Sequence, residues 1–261
     1  MSKKHRSVVQ KQFTKTVDAF SKFSVRDTPE MLAERSQFAR PQPGEIALDV
    51  ACGPGTLVLE LARIVRFARG IDITHPMLLQ AREFQRERNV TNTFFDQGEA
   101  ERLPYPDHAF DLVTCQFSFH HMPKPEAALK EMLRVTRAEG RIMIADTLGP
   151  ESDEKWDLHH RIECIRDASH AGSLRLTAFL RLFEDTGLDI LRQGLKRRQR
   201  SFNQWMARAG LEASDNRYQE ARKVIEDSIP GDKAAFSAQP QDDDLLIVHN
   251  EAMFLLQRRG V

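Results

Sequence analysis

Ala47-Leu48-Asp49-Val50-Ala51-Cys52-Gly53-Pro54-Gly55-Thr56 is the stretch whose reading decides the fold. It begins as a short apolar strand, passes into a Gly-x-Gly turn, and opens a helical pattern at Thr56. Glycine lets the backbone approach a ligand closely, and a helix start leaves N–H groups free to bond it. Such a turn serves several cofactors, and two details narrow the choice. Val58 stands where the dinucleotide fingerprint needs its third glycine. Asp49 lies inside the strand, four residues before Gly53. A carboxylate aimed at the loop would repel a pyrophosphate and attract a cationic end.

The next apolar run ends Gly70-Ile71-Asp72-Ile73, with Asp72 17 residues beyond Gly55. An acid at that strand tip can accept both hydroxyls of a ribose. A nucleoside with a positive, amino-acid-like tail satisfies both acids, which makes S-adenosylmethionine the candidate ligand. The competing structural reading makes Asp49 a buried turn cap and Asp72 a helix N-cap.

Outward from this loop the pattern alternates. Strands are expected at 46–51, 67–73, 93–97, 111–117 and 141–146, and helices at 56–64, 76–88 and 127–137. Short apolar strands separated by helices argue for a parallel sheet covered on both faces. Before it, 8–40 reads as helix, with Val9, Phe13, Val17 and Phe20 at helical spacing and a break at Asp27-Thr28-Pro29. After it come helices at 151–168 and 177–186, a strand at 188–195, two short helices within 201–228 and a last strand at 245–256. The basic run 196–200 reads as a solvated strand end rather than a nucleic-acid patch.

The whole chain fits that picture. It has 261 residues, 38 basic and 38 acidic side chains, and pI near 7.1. A neutral balance lacks the footprint of a general nucleic-acid binder. No apolar run approaches the ~20 residues of a membrane span. The basic start, residues 1–6, lacks the apolar region of a secretory signal, so a cytoplasmic location is expected. Cys52, Cys115 and Cys164 have no CxxC geometry, which argues against structural zinc or a disulfide framework, and no metal site is expected.

The quoted residues resemble a class I S-adenosylmethionine-dependent methyltransferase. The resemblance rests on 48–55, on Gly70-Ile71-Asp72, on 98–105, on Phe110-Asp111-Leu112-Val113 and on 133–141. Its nearest flavour is the small-molecule group around the ubiquinone/menaquinone C-methyltransferases. It implies a doubly wound, seven-stranded, mostly parallel α/β sheet, Rossmann-like, with the last strand antiparallel. It divides the chain into an N-terminal helical lid (1–40) and a methyltransferase domain (41–261) with helical insertions at about 151–176 and 201–240. It implies that Ala51, Gly53 and Gly55 wrap the methionine part of the cofactor and that Asp72 takes the ribose. Ile73 and Met77 would flank the adenine, Glu99 would accept its amino group, and the Ala100 N–H would meet a ring nitrogen. Phe117 and Asp49 complete the expected cofactor set. The segment Ile165-Arg166-Asp167-Ala168-Ser169-His170 also resembles a subgroup of these proteins.

For the chemistry, the sulfonium is already a good leaving group, so alignment of the nucleophile dominates and is worth roughly 7–11 kcal/mol. A base matters only when the acceptor carries a proton of high pKa. His120 and His121, at the end of the fourth strand, and His170 are the candidate bases, against a structural role for the first two and a surface loop position for His170. His159 and His160 are read as helix-face residues, and Cys115 as a core residue. The segment 115–123 lacks the Asp/Asn-Pro-Pro-Tyr of enzymes that methylate base amines, and two of the three cysteines are placed in loop and strand, which excludes arsenic chemistry. Phe20, Phe23, Trp156, Phe202, Trp205 and Met206 are the expected apolar lid, with Trp205 and Met206 divided between lid core and substrate contact. The expected partner is a small-molecule acceptor methylated at O, N or C, with a homodimer left open. A catalytically inactive S-adenosylmethionine-binding protein and an NAD-dependent oxidoreductase are the rival readings.

Overall fold

Alternation within the strands places two hydrophobic layers on one sheet. In the computed structural model, which describes residues 1–17 and 28–260, Ala47, Leu112, Met143 and Leu255 face one core, while Leu48, Val113, Ile142, Ile144 and Phe254 face the other. Each fully buried aliphatic side chain contributes roughly 1.5–3 kcal/mol. The strands are β1 (Ile46–Val50), β2 (Phe67–Asp72), β3 (Thr93–Gln97), β4 (Phe110–Gln116), β5 (Thr136–Thr147), β6 (Leu188–Ser201), β7 (Gln239–Gln241) and β8 (Asp244–Arg258). Their order is β3-β2-β1-β4-β5-β8-β6, with β7 paired to β8. β1 to β5 are parallel, and β8 runs antiparallel between β5 and β6. The expected seven-stranded sheet is therefore present, with three-residue β7 as an eighth strand.

The helices are α1 (Lys3–Lys15), α2 (Pro29–Ala39), α3 (Thr56–Leu61), α4 (His75–Glu87), α5 (Pro125–Val135), α6 (Asp153–Arg166), α7 (Leu176–Asp185), α8 (Phe202–Ala207) and α9 (Asn216–Ser228). α2, α3 and α4 cover one face, and α5 and α7 the other. In α5 the buried positions Ala128, Leu129, Met132 and Val135 form one stripe. A third core lies under α8, α9 and the end of the β6–β8 hairpin, and it holds Phe202, Trp205, Met206, Tyr218 and Phe236. No described helix is long and apolar enough to cross a membrane.

Several boundaries differ from the sequence reading, and the two largest shifts within the sheet are in β5 and β6. β5 begins at Thr136, directly after α5, because Phe110 pairs with Thr136 and recruits residues read as helix end. β6 continues through the basic run, because its whole length pairs with β8. There Lys196 and Arg198 meet Glu34, and Arg198 and Arg200 meet Glu251. Phe20 and Phe23 lie outside the described residues.

At Gly55, φ is +74°, and an added Cβ would lie 2.6 Å from Phe95 Cε1 and 3.0 Å from Ala81 Cβ. Left-handed backbone costs a non-glycine residue roughly 1–2 kcal/mol, and overpacking typically adds 1–3 kcal/mol. Gly55→Ala is expected to lower stability by about 2–5 kcal/mol in urea unfolding. A loss below about 1 kcal/mol would contradict the tight packing.

The third core also holds His249, against Trp205 and Phe236. Burial pushes its pKa down from 6.5 to about 4, against the opposing pull of Glu163. The native state keeps the imidazole neutral, whereas the unfolded chain protonates it near pH 6.5. Stability is therefore lost as pH falls from 6.5 towards 4, by about 3 kcal/mol for this one group. His249→Gln is expected to flatten that acid limb in thermal unfolding followed against pH, and an unaltered limb would assign it to other groups.

Candidate active site

Ligands of open parallel sheets sit at the carboxyl ends of the strands, where the strand order reverses. Here the reversal falls between β1 and β4, and a cavity of about 1310 Å³, counted out to its mouth, opens there. Ala51, Gly53, Asp72, Ile73, Met77, Ala100, Phe117, His120 and His121 line it. Asp49, Gly55, Glu99 and His170 do not.

The loop after β1 is shaped by left-handed residues: φ is +55° at Ala51, +53° at Gly53 and +74° at Gly55. A Cβ at Gly53 would meet nothing within 4 Å, so this residue forms an open cradle on the cavity side, while Gly55 faces Phe95. Asp72 fixes the cradle. Its Oδ2 accepts the Gly53 N–H at 2.8 Å and its Oδ1 the Thr74 N–H at 2.7 Å. Burial pushes its pKa up, and those N–H groups only partly offset this. The N-cap-like reading of Asp72 is thus partly right, since it bonds Thr74 just before α4, yet the acid also lines the cavity. Asp49 is buried beneath the loop, where the Thr114 hydroxyl donates to it at 2.6 Å. Its position in mid-strand directs it towards β4 and away from the cavity.

Glu99 departs from its expected role. Its carboxylate pairs with Arg6 of α1 at 2.5 Å, because α1 lies over this end of the sheet. Gln10 donates to the Ile73 carbonyl at 3.1 Å, and His5 Nε2 lies 2.9 Å from the His121 carbonyl. The Met1 ammonium meets Glu101. Val9, Gln12, Phe13 and Thr16 thereby form one wall.

The opposite wall is polar. β4 ends in a 3₁₀ turn, Phe119–His121, whose backbone is tied to Asp146 near the end of β5. The Phe119 N–H donates to Asp146 Oδ2 at 2.8 Å, and His120 Nδ1 lies 2.5 Å from Asp146 Oδ1. Burial alone would push Asp146 up, but the His120 imidazole and the Thr147 N–H outweigh it and hold it below the usual carboxylate value. A buried carboxylate on Nδ1 sets the proton there and leaves the lone pair on His120 Nε2.

His121 has its own support. Its Nδ1 lies 3.1 Å from Ser169 Oγ, which donates to Asp167 at 2.5 Å. Burial, then the neighbouring His120, pushes its pKa down to about 4, so this imidazole is neutral at pH 7. Burial also raises Asp167, yet His121, Arg166 and the Ser169 donors hold it below its ordinary value. Asp167 and Arg166 line the cavity.

His170 stands behind this wall. Its ring centroid is 5.5 Å from that of His120, and its Nε2 lies 3.3 Å from Ser173 Oγ. It is placed as a neighbour of the candidate bases and away from the cavity. Phe202, Trp205 and Met206 belong to the third core, and Trp156 stacks on His160. His159 also packs inside that core, against Phe236, and does not sit on an open helix face.

Asp146, Asp167 and Ser169 escaped the sequence reading. Asp146 was discoverable as an acid at the carboxyl end of β5, and the other two lie in the 165–170 segment that had been noted without a role.

A model of the methyltransferase domain matches residues 48–144. Among curated proteins, the chain is 31% identical over 169 residues to YcgJ of Bacillus subtilis (strain 168), described as an uncharacterized methyltransferase, covering 64% of this chain and 66% of that one. It is 35% identical over 113 residues to the ubiquinone/menaquinone biosynthesis C-methyltransferase UbiE of Azotobacter vinelandii, covering 42% of this chain and 45% of that one. The matched spans are thus about two thirds of YcgJ and under half of UbiE. The crystal structure of YcgJ superposes with TM-score 0.80 at 23% identity, covering 89% of this chain and all of that one. A Geobacter sulfurreducens S-adenosylmethionine-dependent methyltransferase in complex with S-adenosylhomocysteine gives TM-score 0.58 at 22% identity, covering 89% and 92%.

Proposed function

We propose, from the premise that this chain is a class I S-adenosylmethionine-dependent methyltransferase related to the ubiquinone/menaquinone C-methyltransferases, that it methylates a small organic acceptor at a hydroxyl oxygen or an acidic carbon, an atom that needs a base to become nucleophilic. The observation that carries this reading is the buried Asp146 carboxylate on Nδ1 of His120, at the cavity wall. Carboxylate-oriented imidazoles are built to take protons.

The described residues suit the cofactor. Gly53 offers an open cradle, Asp72 an acid beside it, and Ile73, Met77 and Ala100 an apolar slot. Bound there, S-adenosylmethionine supplies a methyl group on a sulfonium, a carbon open to in-line displacement. His120 Nε2 would take the proton that the acceptor gives up on methylation. Phe13, Phe117 and Met122 supply apolar walls for the acceptor. His121, neutral and backed by Ser169 and Asp167, holds a polar atom of the acceptor. α1 acts as the N-terminal lid, and Glu99 serves that lid through Arg6.

A cytoplasmic setting goes with this reading, since Cys52, Cys115 and Cys164 are all free thiols. The test is methyl transfer from S-adenosylmethionine to matched phenol, acidic-carbon, amine and thiol acceptors. The phenol or acidic-carbon members are expected to turn over fastest. Faster turnover of the amine and thiol members would sink the hydroxyl or acidic-carbon assignment. Binding of S-adenosylhomocysteine without turnover of any member would instead favour an inactive binder.

A further inference from the structure

We propose that His160, Cys164 and His170 form a site for one borderline-soft divalent cation of the zinc class, beside the active-site wall. His160 and Cys164 are four residues apart on α6, so they share a face. The chain then leaves the helix at Asp167 and returns His170 to that face.

The ligand atoms already stand at coordination spacing. His160 Nδ1 and His170 Nδ1 are 3.2 Å apart, and Cys164 Sγ is 3.7 Å from His160 Nδ1. Tetrahedral zinc, with bonds of ~2.0–2.1 Å to nitrogen and ~2.3 Å to sulfur, puts such pairs about 3.3 and 3.6 Å apart. One atom from each of the three residues falls within 4.8 Å of the others. Three protein ligands leave the fourth vertex for water.

The supporting shell is also built. Metal-binding histidines are oriented by a hydrogen bond on the other ring nitrogen, and His170 Nε2 has Ser173 Oγ at 3.3 Å. Trp156 stacks on the His160 ring at 4.8 Å and donates its Nε1–H to the Ser173 carbonyl at 2.9 Å. Without an ion, the two facing Nδ1 atoms share one proton as an N–H···N bond. Binding the cation moves that proton to the other nitrogen of its own ring, so both imidazoles stay neutral, and displaces the Cys164 thiol proton to solvent.

The cation would tie α6 to the 167–173 loop. That loop carries Asp167 and Ser169 behind His121, and its Ala171 and Gly172 N–H groups donate to the His120 carbonyl at 2.7 and 3.2 Å. The site therefore braces the wall that bears both candidate bases.

The test uses the untagged full chain after chelator treatment, titrated with Co²⁺ as the optical probe and then with Zn²⁺. The expected result is one saturable equivalent, with tetrahedral d–d absorption and a thiolate-to-cobalt charge-transfer band that Zn²⁺ abolishes. C164S is expected to lose the charge-transfer band and weaken affinity by at least about tenfold, and H160Q to weaken it comparably. Zn²⁺ is also expected to raise the melting temperature of the wild-type protein, but not that of the H160Q/C164S double variant. Absence of saturable binding at micromolar ion by folded wild-type protein overturns the proposal. Unchanged binding in a folded double variant overturns it equally.

Discussion

Asp72→Ala is expected to weaken binding of S-adenosylhomocysteine by about 100-fold or more, read by isothermal titration. The carboxylate accepts the Gly53 N–H at 2.8 Å and the Thr74 N–H at 2.7 Å. Bonds to a charged acceptor are worth roughly 1.5–3 kcal/mol each, and every 1.4 kcal/mol is about tenfold in affinity. In the variant the cradle loop loses its tie to β2, the start of α4 loses its anchor, and a ribose bound as the resemblance implies would lose its acceptor. Asp72→Asn keeps the volume and one carbonyl oxygen but turns an NH₂ towards a backbone N–H, so an intermediate loss is expected. A folded Asp72→Ala protein that binds S-adenosylhomocysteine as the wild type does would remove this acid from the site. Gly53→Ala separates loop shape from carboxylate chemistry, because its methyl meets no protein atom within 4 Å. Its φ of +53° adds roughly 1–2 kcal/mol of backbone strain, so a loss of affinity beyond that modest loss of stability reports on the ligand.

What the sequence discloses here is what local physics encodes. The β1 loop is legible because glycine spacing, the strand before it and the helix after it all lie within ten residues. Strand alternation marks both faces of the sheet for the same reason. The paired positions are different. Asp146 stands 26 residues from His120, and only the parallel pairing of β4 with β5 brings them to 2.5 Å. Glu99 meets Arg6 only because α1 folds back over β3 and β2. Ser169 reaches His121 across 48 residues. The His160, Cys164 and His170 cluster is hidden by a different fact: its third member is turned back to the helix by a loop, so no linear ligand motif exists. Trp205 and Met206 were ambiguous because an apolar side chain in an insertion fits a lid or a core equally. The pairing of β6 with β8 decides for the core by placing Leu245 and Ile247 against them, with Phe236 from the segment before β7.

His120→Gln is expected to lower turnover of the acceptor found in the panel by about 10²–10⁴-fold, the range for lost proton transfer. Affinity for S-adenosylhomocysteine should stay unchanged, since glutamine preserves the wall. Asp146→Asn should cost nearly as much. Its amide would present N–H to Nδ1, force the imidazole proton onto Nε2, and leave no lone pair facing the acceptor. Because the two residues act as one unit, the double variant should be no slower than the worse single variant. His121→Gln is the control: burial keeps the His121 imidazole neutral down to about pH 4, and this variant should leave proton transfer to His120 in place. If His120→Gln keeps near-normal turnover, alignment alone carries the reaction. The acceptor atom is then one that is already nucleophilic, and the Asp146–His120 pair is a brace for the turn after β4.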